Sequence, residues 1–373
     1  MADWQKIARF VAARGIKVAG NLLKGLCYLF HAICPEKRFT IPSRAKPLIR
    51  HKRERVIPRV VWQTNFTRRV TLPIYLNYLF NRMMAPTFEF RLLDDVEIRR
   101  WVHSLYPGRT FDSFSKLQIG AAQADLWRLL ILHAYGGVYL DIDAHFVWPL
   151  EWTVASRADE LFLKHKLGLT NYFIASRSNT DSIRFAVNAI LHNIEYPTSN
   201  DVSEITGPAA LDRALRGRDV SSVSYRVTCY QGTFTNEFFQ YLDHRAMKWS
   251  REQRHTAVVA GKGTPSFSPI FPNNKPPPSC PNQPPWMRRI MAERDWRSKP
   301  WAQFSLCVGV LLILLFVTVE SLAQGTRGRD RDAASQSKTA ENKKKAKVTD
   351  DAYRAALRSI PDMPKTDPWG GIR

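Results

Sequence analysis

Two aspartates separated by one residue follow a short apolar segment near the middle of this 373-residue chain. Asp141 and Asp143 come directly after the predicted strand Val138–Leu140. On an extended backbone both side chains point the same way, about 6 to 7 Å apart. Hard divalent cations prefer oxygen ligands, so a carboxylate pair at the end of a strand suits a cation that also holds a diphosphate.

A second pair of charged residues lies one helical turn apart in the apolar segment just upstream. Asp125 and Arg128 are surrounded by Leu and Trp residues, and buried charges are costly unless they are paired or bound to a ligand. Taken alone, the pair favours a local ion pair between residues three apart. Gly136-Gly137 then ends the helix and leads directly to the aspartates. This continuity favours a hairpin-like unit that brings all four charged residues together.

The whole string over residues 124–143 is far more specific than a lone Asp-x-Asp pair. It resembles glycosyltransferase family 32, which includes yeast α-mannosyltransferases, sphingolipid mannosyltransferases and bacterial capsule enzymes. A similar helix–DXD unit occurs in large clostridial glucosylating toxins. Three further matches follow the family's order: IPRVVWQT at 57–64, FRLLDD at 90–95 with Leu93 in place of the usual aromatic, and TGP at 206–208. The resemblance covers roughly residues 56–260.

The resemblance implies a GT-A fold, a GDP- or UDP-linked sugar donor, Mn²⁺ or Mg²⁺, and transfer with retention of anomeric configuration. By position, Asp143 is a metal ligand, and Asp141 contacts the metal-bound ribose or the diphosphate. Asp125 and Arg128 would hold the hydroxyls of the donor sugar. A second set of residues is implied to line the nucleotide pocket: Trp62, which would stack on the base, Gln63, Asp94, Asp95 and Tyr139, for which a place in the core is the alternative.

The resemblance also implies a late metal or diphosphate contact from a C-terminal loop. The candidates are His244, Trp249 and His255, and His255 is the predicted metal ligand. The family's usual His-x-x-x-Ser-Trp ending is not clearly present. We predict no nucleophilic Ser or Cys, because the departing phosphate can take the acceptor's proton and the chain has no GxSxG motif.

Residues 56–260 alternate between strand-like and helix-like apolar patterns, which predicts an α/β fold: a GT-A-like, Rossmann-type mixed sheet flanked by helices. The predicted strands are 56–62, 88–93, 138–140, 161–165 and 172–176. The predicted helices are 72–84, a helix capped by Asp94 or Asp95 that runs to about Leu105, Ser115–Tyr135 with Ser115 as N-cap, and 181–195.

The two ends of the chain have different compositions. Residues 1–34 predict a basic amphipathic helix on a membrane surface, with a surface helix packed on the domain as the alternative. Residues 35–55 predict a basic linker, and 261–300 a proline-rich, basic spacer. Residues 301–322 predict a transmembrane helix, since 302–319 carry no charge, against the alternative of a buried core helix. Residues 323–373 predict a polar, disordered tail.

The formal net charge of +22 indicates an anionic partner. The basic residues do not alternate with aromatics as in a nucleic-acid module, so we predict anionic lipid and no nucleic acid. The five cysteines have no metal-like spacing and mildly favour a reducing compartment. With no signal sequence, we expect a bacterial inner membrane with a cytoplasmic catalytic domain, and a Golgi membrane as the alternative.

The leading hypothesis is a membrane-associated glycosyltransferase whose acceptor is a glycan, a lipid-linked glycan or a glycolipid. A non-catalytic, membrane-anchored protein that binds sugar nucleotides is the first alternative. A glycoside hydrolase is the second, but its two carboxylates should come from separate elements across a sugar cleft.

Overall fold

A mixed sheet forms the centre of the structure, a computed structural model that describes residues 3–51, 55–155, 157–244 and 248–261. These residues belong to one compact unit. Their strands are β1 (Phe39–Thr40), β2 (Arg44–Ala45), β3 (Val60–Thr64), β4 (Arg69–Val70), β5 (Glu89–Leu93), β6 (Gly137–Leu140), β7 (Ala144–Phe146), β8 (Glu160–His165), β9 (Gly168–Ser176), β10 (Ser222–Ser224) and β11 (Cys229–Gln231).

Helices cover both faces of this sheet. They are α1 (Asp3–Ile33), α2 (Leu72–Met84), α3 (Asp95–Leu105), α4 (Arg109–Lys116), α5 (Gly120–Tyr135), α6 (Leu150–Thr153), α7 (Asp181–Glu195), α8 (Val202–Ile205), α9 (Pro208–Leu215), α10 (Glu237–Gln240) and α11 (Trp249–Glu252), with a short 3₁₀ helix at Tyr225–Val227. The predicted mixed sheet flanked by helices is thereby confirmed.

Seven strands form the main sheet in the order β10-β8-β9-β6-β3-β5-β2. Strand β3 pairs in parallel with both β5 and β6, so the three strands end at one edge. Asp94 follows β5 and Asp141 follows β6 at this edge. Ligands of open α/β sheets bind at the carboxyl ends of the strands. The topology therefore brings two of the sequence-predicted segments to the same edge.

Each face of the sheet has its own apolar core. One core contains Trp101 of α3, Trp127 of α5 and much of α7 and α9. The other contains Tyr78 of α2, Phe90 of β5 and residues around β7. Side chains of successive strand residues alternate between the two faces. Tyr139 accordingly lies in the first core, and its neighbours in β6 lie in the second.

Most of the predicted elements are confirmed, and α2 and α7 have the predicted bounds. The single helix Ser115–Tyr135 is wrong, because α4 ends at Lys116 and α5 begins at Gly120. The break arises where Leu117 bridges to Val259 and Gln118 donates its backbone N–H to the Val258 carbonyl. Ser115 therefore lies inside α4 and caps no helix, whereas the predicted cap at Asp94 forms a capping box with Glu97.

The N-terminal region is more integrated than the sequence suggested. Helix α1 packs on the domain along one face, which buries Arg9, Ala13, Cys27 and His31. The predicted linker 35–55 contributes strands β1 and β2, and β2 is the edge strand of the main sheet. Local sequence does not signal two-residue strands, because their hydrogen-bonding partners lie far along the chain.

The predicted spacer beyond residue 261, the transmembrane helix over 301–322 and the tail over 323–373 lie outside the described residues. Within the described part of the chain, no helix combines the length and the apolar character that crossing a membrane requires.

Candidate functional site

A tight turn between α5 and β6 joins the two halves of the site. Gly136 has φ +64° and Gly137 has φ +107°. A Cβ atom on Gly136 would lie 2.7 to 2.9 Å from backbone atoms of residues 176–178. Glycine is required here both for the positive φ and for this close backbone approach. The turn directs β6 back along the sheet, so that the residues after β6 lie beside the first half of α5.

Arg128 is the centre of the cluster. Its Nη2 lies 2.8 Å from Asp125 Oδ1, and its Nη1 lies 3.4 Å from Asp141 Oδ1. Nη1 also donates to the Asn171 carbonyl at 2.7 Å, and the guanidinium lies over the Tyr139 ring, 4.5 Å from its centroid. The predicted local ion pair is thus present, and Arg128 lies beside Asp141 as the predicted hairpin-like unit requires. One guanidinium links the helix to the aspartate pair.

Asp125 is held in place from three sides. Its Oδ1 also accepts from Asn171 Nδ2 at 2.9 Å, and its Oδ2 accepts from Thr206 Oγ1 at 3.2 Å. Burial raises the pKa of Asp125 to about 6, although the charge of Arg128 acts in the opposite direction. Thr206 belongs to the TGP segment, so this segment contacts the site directly.

Asp141 and Asp143 share one hydrogen-bond donor. Gln231 Nε2 donates to Asp141 Oδ2 at 3.0 Å and to Asp143 Oδ1 at 3.1 Å. Tyr139 donates its hydroxyl to the other oxygen of Asp141 at 2.7 Å. Burial and the neighbouring charge of Asp141 raise the pKa of Asp143 to about 7. Burial likewise raises the pKa of Asp141, despite the charge of Arg128.

These two carboxylates fit a divalent cation. Two neighbouring acids that resist ionising together are stabilised by added positive charge. Mg²⁺ is commonly bound by one or two carboxylates, with substrate phosphates and water completing its octahedral shell. The described residues contain no group of three or more His, Cys, Asp or Glu side chains placed to hold a metal. A cation at this site would therefore take its remaining ligands from a bound diphosphate, water or amide oxygens.

Two residues predicted for the nucleotide pocket, Trp62 and Gln63, are both buried but differ in their hydrogen bonding. The Trp62 ring is buried, and its Nε1 donates to the Gly136 carbonyl at 2.8 Å, which anchors the turn before β6. Gln63 is also buried, and within the described part of the chain neither of its side-chain polar atoms has a hydrogen-bond partner. A buried amide without partners is a strong candidate for contact with a ligand or water.

Asp94 and Asp95 lie at the start of α3. The Asp94 side chain accepts from the Glu97 backbone N–H, and its oxygen lies 3.9 Å from Arg68 Nε. Burial and the charge of Asp94 raise the pKa of Asp95. Asp95 faces the first residue of α5, since a Cβ on Gly120 would lie 3.9 Å from its Oδ2. Asp94 therefore has a clear role as a helix cap, independent of any ligand.

Among the described residues, the three predicted C-terminal ligands make no direct contact with Asp141 or Asp143. His255 is exposed and follows α11, where its backbone N–H donates to the Glu252 carbonyl. It belongs to no metal-binding cluster of the described residues, so its role as a ligand stays a prediction. The His244 ring packs edge-on against Phe66, and Trp249 begins α11.

Two residues that the sequence did not single out contact the charged residues of the site. Asn171 contacts both Asp125 and Arg128, and Gln231 contacts both aspartates of the pair. Burial and the charges of Asp143 and Asp141 raise the pKa of Tyr241. The only local signal was a polar residue in the middle of an apolar strand, at Asn171. Gln231 reaches the site through the tertiary fold alone.

Comparison with known proteins finds a family model that is similar to the same region. Residues 59–162 match the family model described as "Glycosyltransferase sugar-binding region containing DXD motif". The match includes α5, the glycine turn and both aspartates. These residues are therefore similar in sequence to the DXD-containing sugar-binding region of glycosyltransferases. No curated protein matches the chain.

Solved structures with similarity to the chain include two glycosyltransferases. The PaToxG glycosyltransferase is 15% identical, with a TM-score of 0.37 over 56% of this chain and 79% of that chain. The ligand-free glycosyltransferase domain from the YGT toxin is 13% identical, with a TM-score of 0.28 over 39% of this chain and 54% of that chain.

Proposed function

We propose that this protein is a glycosyltransferase that moves a sugar from a nucleotide-sugar donor to an acceptor. The observation that carries this proposal is the convergence of Asp125, Arg128, Asp141 and Asp143 in one cluster. The cluster lies inside the region that matches the sugar-binding family model. Its charges, three carboxylates and one guanidinium, suit a site that holds a cation, a diphosphate and sugar hydroxyls.

Each charged side chain has a specific task in this proposal. Asp125 and Arg128 hold the hydroxyls of the donor sugar, and Asn171 and Thr206 fix the orientation of Asp125. Asp141 and Asp143 face the diphosphate through a divalent cation, Mn²⁺ or Mg²⁺. When bound, the cation would stabilise the negative charge that develops on the departing nucleoside diphosphate. Arg128 contributes a fixed positive charge beside the same group.

Further parts of the proposal rest on the sequence resemblance. The donor is GDP- or UDP-linked, and the anomeric configuration is retained. Gln63 contributes to nucleotide binding, and its buried amide, which has no hydrogen-bond partner among the described residues, is consistent with that role.

The alternative of a glycoside hydrolase agrees less well with the site. Asp141 and Asp143 accept hydrogen bonds from the same nitrogen, so they lie side by side. A hydrolase needs its acid and its second carboxylate on opposite sides of the scissile bond. Asp125 is held in a buried ion pair with Arg128, whereas the acid of a hydrolase must give its proton to the leaving group. The other alternative, a protein that binds the donor without turnover, is separated from an active transferase by the experiment below.

Donor turnover by the purified full chain tests the proposal. Sugar nucleotides are supplied one at a time with Mn²⁺ or with a chelator, and released nucleoside diphosphate is measured. We expect metal-dependent release from one donor, which Asp143→Ala abolishes. Asp159→Ala is the matched control, because Asp159 is an exposed aspartate paired with Arg177. Release of free sugar without metal would support a hydrolase, and donor binding without release would support the non-catalytic alternative. NMR of the product reports the anomeric configuration.

We further propose that the enzyme works at a membrane, with a glycan, lipid-linked glycan or glycolipid as acceptor, and that it resides at a bacterial inner membrane. The apolar sequence over 302–319 supports this, as does the outer face of α1. The apolar residues of this face are each more than half exposed: Ile7, Val11, Val18, Leu22, Leu26, Leu29 and Ile33. At about 100° per residue they form one stripe opposite the packed face of α1.

The charge of α1 matches an anionic lipid surface. Between Asp3 and Glu36 the sequence contains basic residues and no acidic ones, and an apolar helical face with basic flanks is typical of interfacial helices. The test uses Leu22→Trp in the full chain and anionic vesicles that contain brominated lipid. Extra quenching of the new tryptophan is expected, and none is expected for the control Val96→Trp on α3. Equal quenching of both variants would contradict a role for α1.

A further inference from the structure

Gln231 lies between Asp141 and Asp143 and has no role in the proposed reaction as described above. Its Nε2 lies 3.0 Å from Asp141 Oδ2 and 3.1 Å from Asp143 Oδ1. The side chain is exposed to solvent, so burial does not force this arrangement. An uncharged NH₂ group thus donates to both carboxylates at the point where a bridging cation would also have to interact with them.

The distances have the values expected between neighbouring ligands of one cation. Adjacent ligands of an octahedral ion with metal–oxygen bonds of about 2.1 Å lie about 3.0 Å apart. The end of the Gln231 side chain already lies at this separation from both carboxylate oxygens. A half-turn of the carboxamide about its last torsion exchanges nitrogen for oxygen at nearly the same point. The oxygen would then take part in binding a cation held by the aspartates.

The backbone around Gln231 is fixed, so this half-turn is the main movement that the exchange requires. Strand β11 pairs with β7 directly after the aspartates, with Gln231 opposite Ala144. The next residue, Gly232, donates its N–H to the Asp143 carbonyl at 3.1 Å and accepts from Lys24 Nζ at 3.0 Å. Helix α1 also contacts this segment at Gly20, where an added Cβ would lie 2.6 Å from Thr233 Cγ2.

We propose that Gln231 is a third protein ligand of the cation site, which exchanges its bridging NH₂ group for its carbonyl oxygen when a divalent cation binds. The inference rests on the proposed function, because it assumes that Asp141 and Asp143 bind a divalent cation. It assigns a ligand that lies about 90 residues beyond the Asp-x-Asp pair and that no local motif marks.

Direct Mn²⁺ binding tests the assignment without measuring turnover. The electron paramagnetic resonance signal of free Mn²⁺ is followed during titration of the full chain. Gln231→Ala should bind Mn²⁺ about tenfold or more weakly than the unchanged protein, since a ligand is lost. Gln231→Glu should bind as tightly or more tightly, because it offers an oxygen at the same place. Gln231→Asn, one methylene shorter, should behave like the alanine variant.

The controls separate this proposal from the proposed function. Gln118→Ala changes an exposed glutamine outside the site and should leave binding unaltered, whereas Asp143→Ala should abolish it. Thermal unfolding in chelator confirms that each variant is folded. If Gln231→Ala and Gln231→Asn bind Mn²⁺ as tightly as the unchanged protein, or more tightly, the ligand role is overturned while the metal site stands. If the unchanged protein binds no Mn²⁺, the metal site and the ligand role both fail.

Discussion

Removing Arg128 should destabilise the protein more than removing its closest partner. Arg128→Met deletes the only cation that contacts Asp125 and Asp141 among the described residues, and it leaves the Asn171 carbonyl without its 2.7 Å donor. Loss of one partner from a buried ion pair typically costs about 3–5 kcal/mol. For a domain of this size, that loss corresponds to a fall in Tm of roughly 6–20 °C.

Asp125→Asn should cost less, about 1–2 kcal/mol. Arg128 keeps Asp141 as a partner, and the asparagine oxygen can still accept a hydrogen bond. The charge at Asp125 is also costly to maintain, because burial raises its pKa to about 6. Neutralising this side chain therefore removes an unfavourable desolvation as well as a favourable contact.

The double variant Arg128→Met, Asp125→Asn gives the decisive comparison. Once Asp125 is neutral, loss of the guanidinium removes the ion-pair partner of Asp141 alone, instead of the partner of both Asp125 and Asp141. The combined cost should fall below the sum of the single costs by about 1–3 kcal/mol. Urea unfolding of the full chain, followed by tryptophan fluorescence in chelator, measures all three free energies.

A pair with the same spacing but an exposed carboxylate provides the control. Asp181 and Arg184 on α7 are three residues apart, as Asp125 and Arg128 are, but the Asp181 side chain is 76% exposed. Arg184→Met should therefore cost less than about 1 kcal/mol. If Arg128→Met costs no more than this control, or if the two changes at the site are additive, burial of the ion pair does not determine its contribution to stability.

Two further predictions concern the turn before β6 and an ion pair away from the site. Gly136→Ala should destabilise the protein by about 2 kcal/mol or more, because it adds a clash with backbone to a positive φ. Gly25→Ala, where an added Cβ meets nothing within 4 Å, should instead stabilise α1 by up to about 1 kcal/mol, and thermal unfolding compares the two. Partial burial alone would raise the pKa of Glu151, but hydrogen bonds from Arg59 and Thr87 and nearby arginine charges lower it to about 2. A lowered folded-state pKa stabilises the protein above the unfolded value near 4.5, and this stability is lost as the pH falls towards 2. The free-energy difference between the unchanged protein and Glu151→Gln should therefore shrink from pH 6.5 to pH 3, and a constant difference would contradict the prediction.

The elements that local sequence determines were predictable. Helices α2 and α7 have the predicted bounds because their apolar periodicity and start signals agree, with Pro73 in the first turn of α2 and Thr180 capping α7. The aspartate pair and the glycine turn were predictable because they form one continuous string. The break between α4 and α5 was not, since it depends on pairing of residues 117 and 118 with residues 258 and 259.

The groups that complete the site were largely outside the reach of sequence reasoning. Asn171 contacts Asp125 across 46 residues, and Gln231 contacts Asp141 across 90. Neither belongs to a motif whose spacing indicates a ligand. Their positions follow from the pairing of β9 with β6 and of β11 with β7, which only the tertiary structure specifies. Residue types at the centre of the site were thus predictable, whereas their supporting partners were not.

The sequence also posed two explanations of Asp125 and Arg128 as alternatives, a local ion pair and a shared binding site. The geometry shows why they need not compete. Nη2 of Arg128 binds Asp125 on its own helix, and Nη1 of the same guanidinium reaches Asp141 after β6. A lysine has a single charged nitrogen and could not serve both carboxylates from fixed positions. The ion pair with Asp125 fixes the arginine so that its second nitrogen faces the aspartate pair. An interaction that stabilises the helix therefore also orients the site.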